Sequence, residues 1–224
     1  MFSRFIDARG GYGCGARFVN RAALAALITL LLSAAPAAAA TRILAFGDSL
    51  TAGLGLAPHQ SFPAQLAARL KADGYDVIVD NGGVSGDTTA DGRARLDWAM
   101  GDHPDVVLLE LGANDMLRGL DPERAEANLD AMLQKLKAAK RKVLLIGMAA
   151  ANNWGADYKK SFDAIYPSLA KKYDVPLYPF FLDGVALDPT LNQGDGLHPN
   201  AAGVAAIVGR IAPAVERLLG KPIK

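Results

Sequence analysis

Short apolar runs alternate along the chain with longer stretches whose apolar residues recur three and four positions apart. "RILAF" (42–46), "DVIVD" (76–80), "DVVLLEL" (105–111), "KVLLIGM" (142–148) and "VPLYPF" (175–180) are the short runs, mostly rich in branched residues and often bounded by Gly, Asn or Pro. Near-continuous apolarity of that length predicts parallel strands buried on both faces. "SFPAQLAARLKADG", "TTADGRARLDWAM", "DPERAEANLDAMLQKLKAAK", "GADYKKSFDAIYPSLAKKY" and "NAAGVAAIVGRIAPAVERLL" carry helical spacing. Asp121 before Pro122 is a helix start, because Asp caps the free N–H groups and Pro suits the first turn. Gly74 ends the first of these helices. Five strands alternating with helices predict an α/β fold with a doubly wound parallel sheet, whose ligands bind beyond the carboxyl ends of the strands.

Residues 1–40 do not follow this alternation. Arg4, Arg9, Arg17 and Arg21 precede the run "AALAALITLLLSAAP", and "AAAAT" follows it. A basic segment, a short apolar segment and small residues suited to cleavage predict a secretory signal peptide over residues 1–40, cut after Ala40. A retained N-terminal anchor is the alternative reading. Residues 41–224 then form a single domain, with no internal repeat or linker, secreted or periplasmic and free of a stable membrane span. The expected state is a monomer.

Removing the leader takes four basic residues from 24 and one acid from 23, which leaves 20 against 22. A balance this close to neutral predicts no electrostatic attraction to nucleic acid. The one cysteine, Cys14, falls in the leader, so thiolate metal sites are excluded from the mature chain. About 180 residues can bury a sufficient core without disulfides.

The strand-end rule makes position a test of chemistry. Ser49 follows the first strand, Gly82, Gly83, Ser85 and Gly86 the second, Asn114 the third, and Asp195 and His198 lie in "QGDGLHPN" before the last helix. A serine hydroxyl is a poor nucleophile until an imidazole takes its proton, and a carboxylate on the other ring nitrogen fixes the tautomer. His198 can be that base and Asp195 that acid. The N–H groups of Ser49 and Gly86, with the Asn114 carboxamide, can surround an oxyanion. Taken singly, each piece has a plainer role. Ser49 can cap a helix, Asn114–Asp115 can be a turn, the glycines can be turn punctuation, and Asp195 with His198 can cap the last helix or ligate a metal. Their joint placement at one edge favours catalysis.

His103 precedes the third strand and is expected at the opposite edge; His59 follows the first strand and is expected in an exposed loop, with a place at the mouth of the site as the alternative. Asp48 is assigned to holding the turn. A dinucleotide site is a competing reading, from G-x-G in "GDSLTAGLGLAP" and Asp80 ending the second strand, but Pro58 stands where the third glycine belongs. A non-catalytic binding module using the same cleft is another.

"GDSL", Gly86 in "VSGDTT", "GAND" and "DGLHP", in this order and at these spacings, resemble the four sequence blocks of the SGNH (GDSL) hydrolases, over nearly all of residues 42–220. Within that family the segments are most similar to the thioesterase I, lysophospholipase L1 and arylesterase group. The resemblance implies a flavodoxin-like three-layer sandwich with a five-stranded parallel sheet. It implies Ser49 as nucleophile, Gly86 and Asn114 as oxyanion donors, and Asp195 with His198 completing the triad. It also implies hydrolysis of small acyl esters or thioesters without metal or cofactor, with O-acetyl groups of glycans as the runner-up substrate. The alanine-rich segment "GMAAANNWG" follows the fourth strand, so Ala149, Ala150, Ala151 and Trp154 are expected to line the groove for the acyl tail. Packing of these alanines against a neighbouring helix is the alternative.

Overall fold

Five parallel strands form one sheet in the order β2-β1-β3-β4-β5. The computed structural model describes residues 39–222, so all but the last two residues of the expected signal peptide, Arg4 to Arg21 and Cys14 included, lie outside the described residues. β1 is Thr41–Gly47, β2 Val77–Gly83, β3 Val106–Glu110, β4 Lys142–Ile146 and β5 Leu177–Tyr178. β1 and β3 pair from Ile43 against Val106 to Phe46 against Leu109, and every residue of β3 is buried. This two-sided burial is why the runs read as continuous apolarity rather than as alternation.

The long helices are α2 (Phe62–Ala72), α3 (Thr89–Ala99), α5 (Pro122–Ala138), α6 (Ala156–Tyr173) and α7 (Ala201–Leu219), with short α1 (Ser49–Ala52) and α4 (Ala113–Leu117) after β1 and β3. α2 packs with α7 on one side of the sheet, while α3, α5 and α6 pack together on the other. This is a three-layer α/β sandwich, and its strand order 2-1-3-4-5 is that of flavodoxin-like folds. Asp121 caps α5 through a bond from Glu123 N at 2.9 Å. Gly74 follows α2 in the left-handed conformation, at φ +89°.

Two departures of the strand ends from expectation bear on the site. β2 continues through Asn81 to Gly83, pairing with β1 as far as Gly47. β4 ends at Ile146, and the chain then leaves the sheet: Gly147 N donates to Tyr178 O at 2.8 Å and Phe181 N to Gly147 O at 2.9 Å. Connections on the two sides of β1 diverge between β1 and β3, the point at which such sheets open a crevice. The segments beginning at Asp48 and Ala113 face that crevice.

Candidate active site

The turn after β1 is built from buried polar groups. Asp48 caps α1, its Oδ1 accepting from Leu50 N at 2.9 Å, which bears out its assignment to the turn. Ser49 begins α1 and is 8 % exposed. Gly83, at the end of β2, lies against the backbone of Asp48 and Ala52, where a Cβ would collide. Glycine is therefore required there for close approach. Asn81 secures the same contact by donating from Nδ2 to Ala52 O at 3.1 Å.

His198 arrives from the loop before α7. Its Nε2 lies 2.9 Å from Ser49 Oγ, and its Nδ1 lies 2.6 Å from Asp195 Oδ2. Asp195 Oδ1 also accepts from the backbone N–H groups of Leu197 at 2.9 Å and His198 at 3.0 Å. Those hydrogen bonds, with the His198 backbone donor the largest influence, hold the Asp195 carboxyl down at about 2. An ionised Asp195 draws the ring proton to Nδ1 and leaves the Nε2 lone pair facing the serine hydroxyl. The loop is fixed from outside by Gln193, whose Nε2 donates to Leu54 O at 2.7 Å and Pro199 O at 3.0 Å. Asn200, not Asp195, caps α7, accepting from Ala202 N and Gly203 N.

Gly86 and Asn114 reach the same place. Gly86 has φ +88°, a left-handed conformation that disfavours any side chain, and its carbonyl accepts from Arg118 Nη2 at 2.9 Å. Among the described residues, neither Ser49 N–H nor Gly86 N–H donates to another group. Asn114 Nδ2 is already engaged, with Asp48 Oδ2 at 3.2 Å and Asp87 O at 3.0 Å. Donation to an oxyanion would therefore share or exchange its longer bond to Asp48. Asp115, the neighbour of Asn114, accepts from Thr89 N and Thr89 Oγ1 at 2.8 and 2.7 Å and ties α4 to the start of α3.

Beneath the serine lies a carboxyl that the sequence did not single out. Glu110 is 1 % exposed; Oε2 accepts from Thr51 Oγ1 at 2.8 Å and Asp48 N at 3.4 Å, and Oε1 has no partner among the described residues. Burial, then the neighbouring Asp48, raises the Glu110 carboxyl well above its ordinary value; burial also raises Asp48. Asp48 receives donors from Leu50 and Asn114 that favour its ionised form, so the shared proton belongs on Glu110. A raised carboxyl is at its most stabilising below its unfolded value, 4.5 for Glu110, and that contribution is lost as pH rises toward the folded value. Glu110→Gln is neutral at every pH, so its advantage over the parent in urea melts should widen between pH 5 and pH 8. A constant difference across that range would place the charge on Glu110 already at pH 5.

The four groups open onto an apolar cavity of about 250 Å³. Besides Ser49, Gly86, Asn114 and His198, its walls are Leu50, Leu54, Ala113, Met116, Leu117, Met148, Leu182 and Leu197. The alanine run expected to line it does not. Ala150 is buried, its N–H donating to Asp163 Oδ1 at 2.8 Å and its carbonyl accepting from Lys159 Nζ at 2.7 Å, and Ala151 is exposed. Because β4 stops at Ile146, only Met148 faces the cavity before Ala149, Ala150 and Ala151 lead toward α6. Trp154 stands behind the wall, donating from Nε1 to Met116 O at 2.8 Å and covering Gly119.

The remaining candidates lie elsewhere. His103, in a turn before β3, has φ +52°, and His59 is exposed in a 3₁₀ turn over Pro58–Gln60. Asp80, the candidate ribose ligand, is held by Arg42 Nε at 2.6 Å and Nη2 at 3.2 Å. A separate cleft of about 160 Å³ beside Trp98 contains none of the catalytic candidates. Among the described residues, no three His, Cys, Asp or Glu side chains are grouped to hold a metal ion.

A model of the GDSL-like lipase/acylhydrolase family matches residues 45–206. Esterase TesA of Pseudomonas aeruginosa is 40% identical over 197 residues, 88% of this chain and 98% of the relative. Thioesterase 1/protease 1/lysophospholipase L1 of Escherichia coli K12 is 44% identical over 172 residues, 76% and 81% of the two chains. Among solved structures, AlinE4, described as an SGNH-hydrolase family esterase, superposes with a TM-score of 0.68 at 46% identity, covering 81% of this chain and 98% of AlinE4.

Proposed function

Since the chain belongs to the GDSL-like lipase/acylhydrolase family and is a hydrolase of esterase and thioesterase type, we propose that it cleaves acyl esters and thioesters through a Ser49–His198–Asp195 triad. The observation that carries this reading is the pair of contacts at 2.9 and 2.6 Å that joins serine, imidazole and carboxylate at the mouth of an apolar cavity. His198 Nε2 takes the Ser49 proton as Oγ bonds to the carbonyl carbon. The oxyanion then formed faces the Ser49 and Gly86 N–H groups, with Asn114 as a third donor. Collapse breaks the bond to the leaving alcohol or thiol, which receives the proton from His198. Water, deprotonated by the same imidazole, releases the acid from the acyl-enzyme.

The cavity supports an apolar acyl tail over acetate, because each buried methylene stabilises the complex by about 0.8 kcal/mol. Leu182→Phe fills part of it. Loss of two buried methylenes corresponds to about a tenfold fall in kcat/KM, so p-nitrophenyl octanoate should lose roughly that much while the acetate ester changes little. Equal losses for both esters would place the tail elsewhere. Acetylated oligosaccharides turned over faster than octanoyl esters would favour glycan deacetylation, an activity in keeping with the name of a relative 30% identical over 223 residues, the acetylxylan esterase of Xylanibacter ruminicola.

The same reading includes export. No described helix is long and apolar enough to cross a membrane, and the leader pattern ends at Ala40, so the exported protein is proposed to begin at Thr41 and to act in the periplasm or outside the cell as a monomer. An intact mass that retained residues 1–40 would overturn the cleavage.

A further inference from the structure

One guanidinium bonds to both chain segments that carry the proposed backbone oxyanion donors. Arg95, on α3, has a side chain only 18% exposed. Its Nη2 donates to Gly47 O at 2.8 Å, Nη1 to Gly82 O at 2.9 Å, and Nε pairs with the carboxylate of Asp87, itself only 12% exposed. The guanidinium carbon stands 4.1 Å from the centre of the Phe46 ring. Gly47 is the last residue of β1 before Asp48 and Ser49; Gly82 lies near the end of β2. Asp87 follows Gly86, and its carbonyl accepts from Asn114 Nδ2. The carbonyl of Gly47 also accepts from Val84 N at 3.0 Å, so Arg95 acts where the two strand ends already touch.

We infer that Arg95 is a positioning residue that sets the spacing of the Ser49 and Gly86 N–H donors, an inference that rests on the hydrolytic reading above. Three donors in one rigid plane can address two carbonyls and a carboxylate at once. A lysine has a single nitrogen and cannot span them. The helix that carries Arg95 is anchored independently. Thr88 and Asp91 form a capping box at its start, Thr89 is bonded to Asp115, and Leu96 is in the core. Removing the guanidinium therefore leaves α3 in place but takes from the segment 84–87 its ion pair at Asp87 and the link through Gly47 and Gly82, leaving Val84, Arg118 and Asn114 to hold the segment whose position decides where Gly86 N–H points. An oxyanion donor displaced from its place costs about 10²-fold or more in turnover.

The test uses Arg95→Met and Arg95→Lys, with active sites counted by a serine-directed phosphonate so that rates refer to competent molecules. Per titrated site, Arg95→Met should lose about 10²-fold in kcat with KM within threefold of the parent. The inhibition constant of an alkyl trifluoromethyl ketone, whose adduct carries the same oxyanion, should rise in step with the loss of kcat/KM. The pH midpoint of kcat/KM should not move, because the serine, imidazole and Asp195 are untouched. Arg95→Lys keeps a positive charge opposite Asp87, and it decides the case if Arg95→Met yields no soluble protein; at least a tenfold loss per site is expected. Parental kcat and ketone affinity per titrated site would overturn the inference and leave Arg95 a support of the fold alone. Failure of the hydrolytic reading is a different result: no phosphonate labelling of the parent, or full activity in Ser49→Ala.

Discussion

Ser49→Ala is expected to fold as the parent does and to lose ester hydrolysis by a factor on the order of 10⁴ to 10⁶. The size follows from the part the hydroxyl plays in the proposed mechanism. Without Oγ there is no acyl-enzyme, His198 has no proton to take, and the remaining donors and cavity supply only the residual catalysis of a triad that acts as a unit. Folding is spared because the change removes one oxygen whose only described side-chain contact is His198. The cap of α1 belongs to Asp48 and the contact with β2 to Gly83 and Asn81. Turnover of a p-nitrophenyl ester, read beside circular dichroism and a thermal melt, checks it. Near-parental turnover by a folded Ser49→Ala protein would remove Ser49 from the chemistry, and labelling of another serine by the phosphonate would name its replacement.

His198→Ala is expected to fall nearly as far, and His103→Ala to stay within about twofold of the parent. The contrast is set by strand polarity. His198 enters from the carboxyl edge of the sheet and contacts both Ser49 and Asp195. His103 sits before β3, at the amino edge, its N–H bonded to Met100 O at 2.9 Å. Its cost is confined to stability, since His tolerates this left-handed conformation better than Ala. Measuring kcat/KM for both variants beside the parent makes each the control for the other. An inactive His103→Ala protein with a normal melt, beside an active His198→Ala protein, would invert the site.

Much of the frame was legible along the chain because burial leaves a periodic trace. Ile43 to Phe46 of β1 and Val106 to Leu109 of β3 sit between two helical layers, so these positions are apolar and the run stands out. The expected β5 was six residues long and is two. It lies at the edge of the sheet, where Pro179 has no N–H to donate to a ladder. α4 went unseen because five residues from Ala113 to Leu117 are too few to show a helical period.

The sequence by itself determined the run of strands and long helices and, through strand polarity, that His103 lies at the edge opposite Ser49, since these follow from burial averaged along one element and from chain direction. Only the tertiary structure decided the cavity, Glu110 and Arg95. The cavity is bounded by Leu54, Met116, Met148, Leu182 and Leu197 from five separate segments, and it exists where their side chains leave space unfilled. No local pattern records that. Ending β4 at Ile146 rather than Met148 was enough to take Ala149, Ala150 and Ala151 away from it. Glu110 read as the polar end of a strand and Arg95 as a charge on a helix. Each gained its part only when partners 48 to 62 positions away came within hydrogen-bond reach, because a buried polar group is defined by what satisfies it.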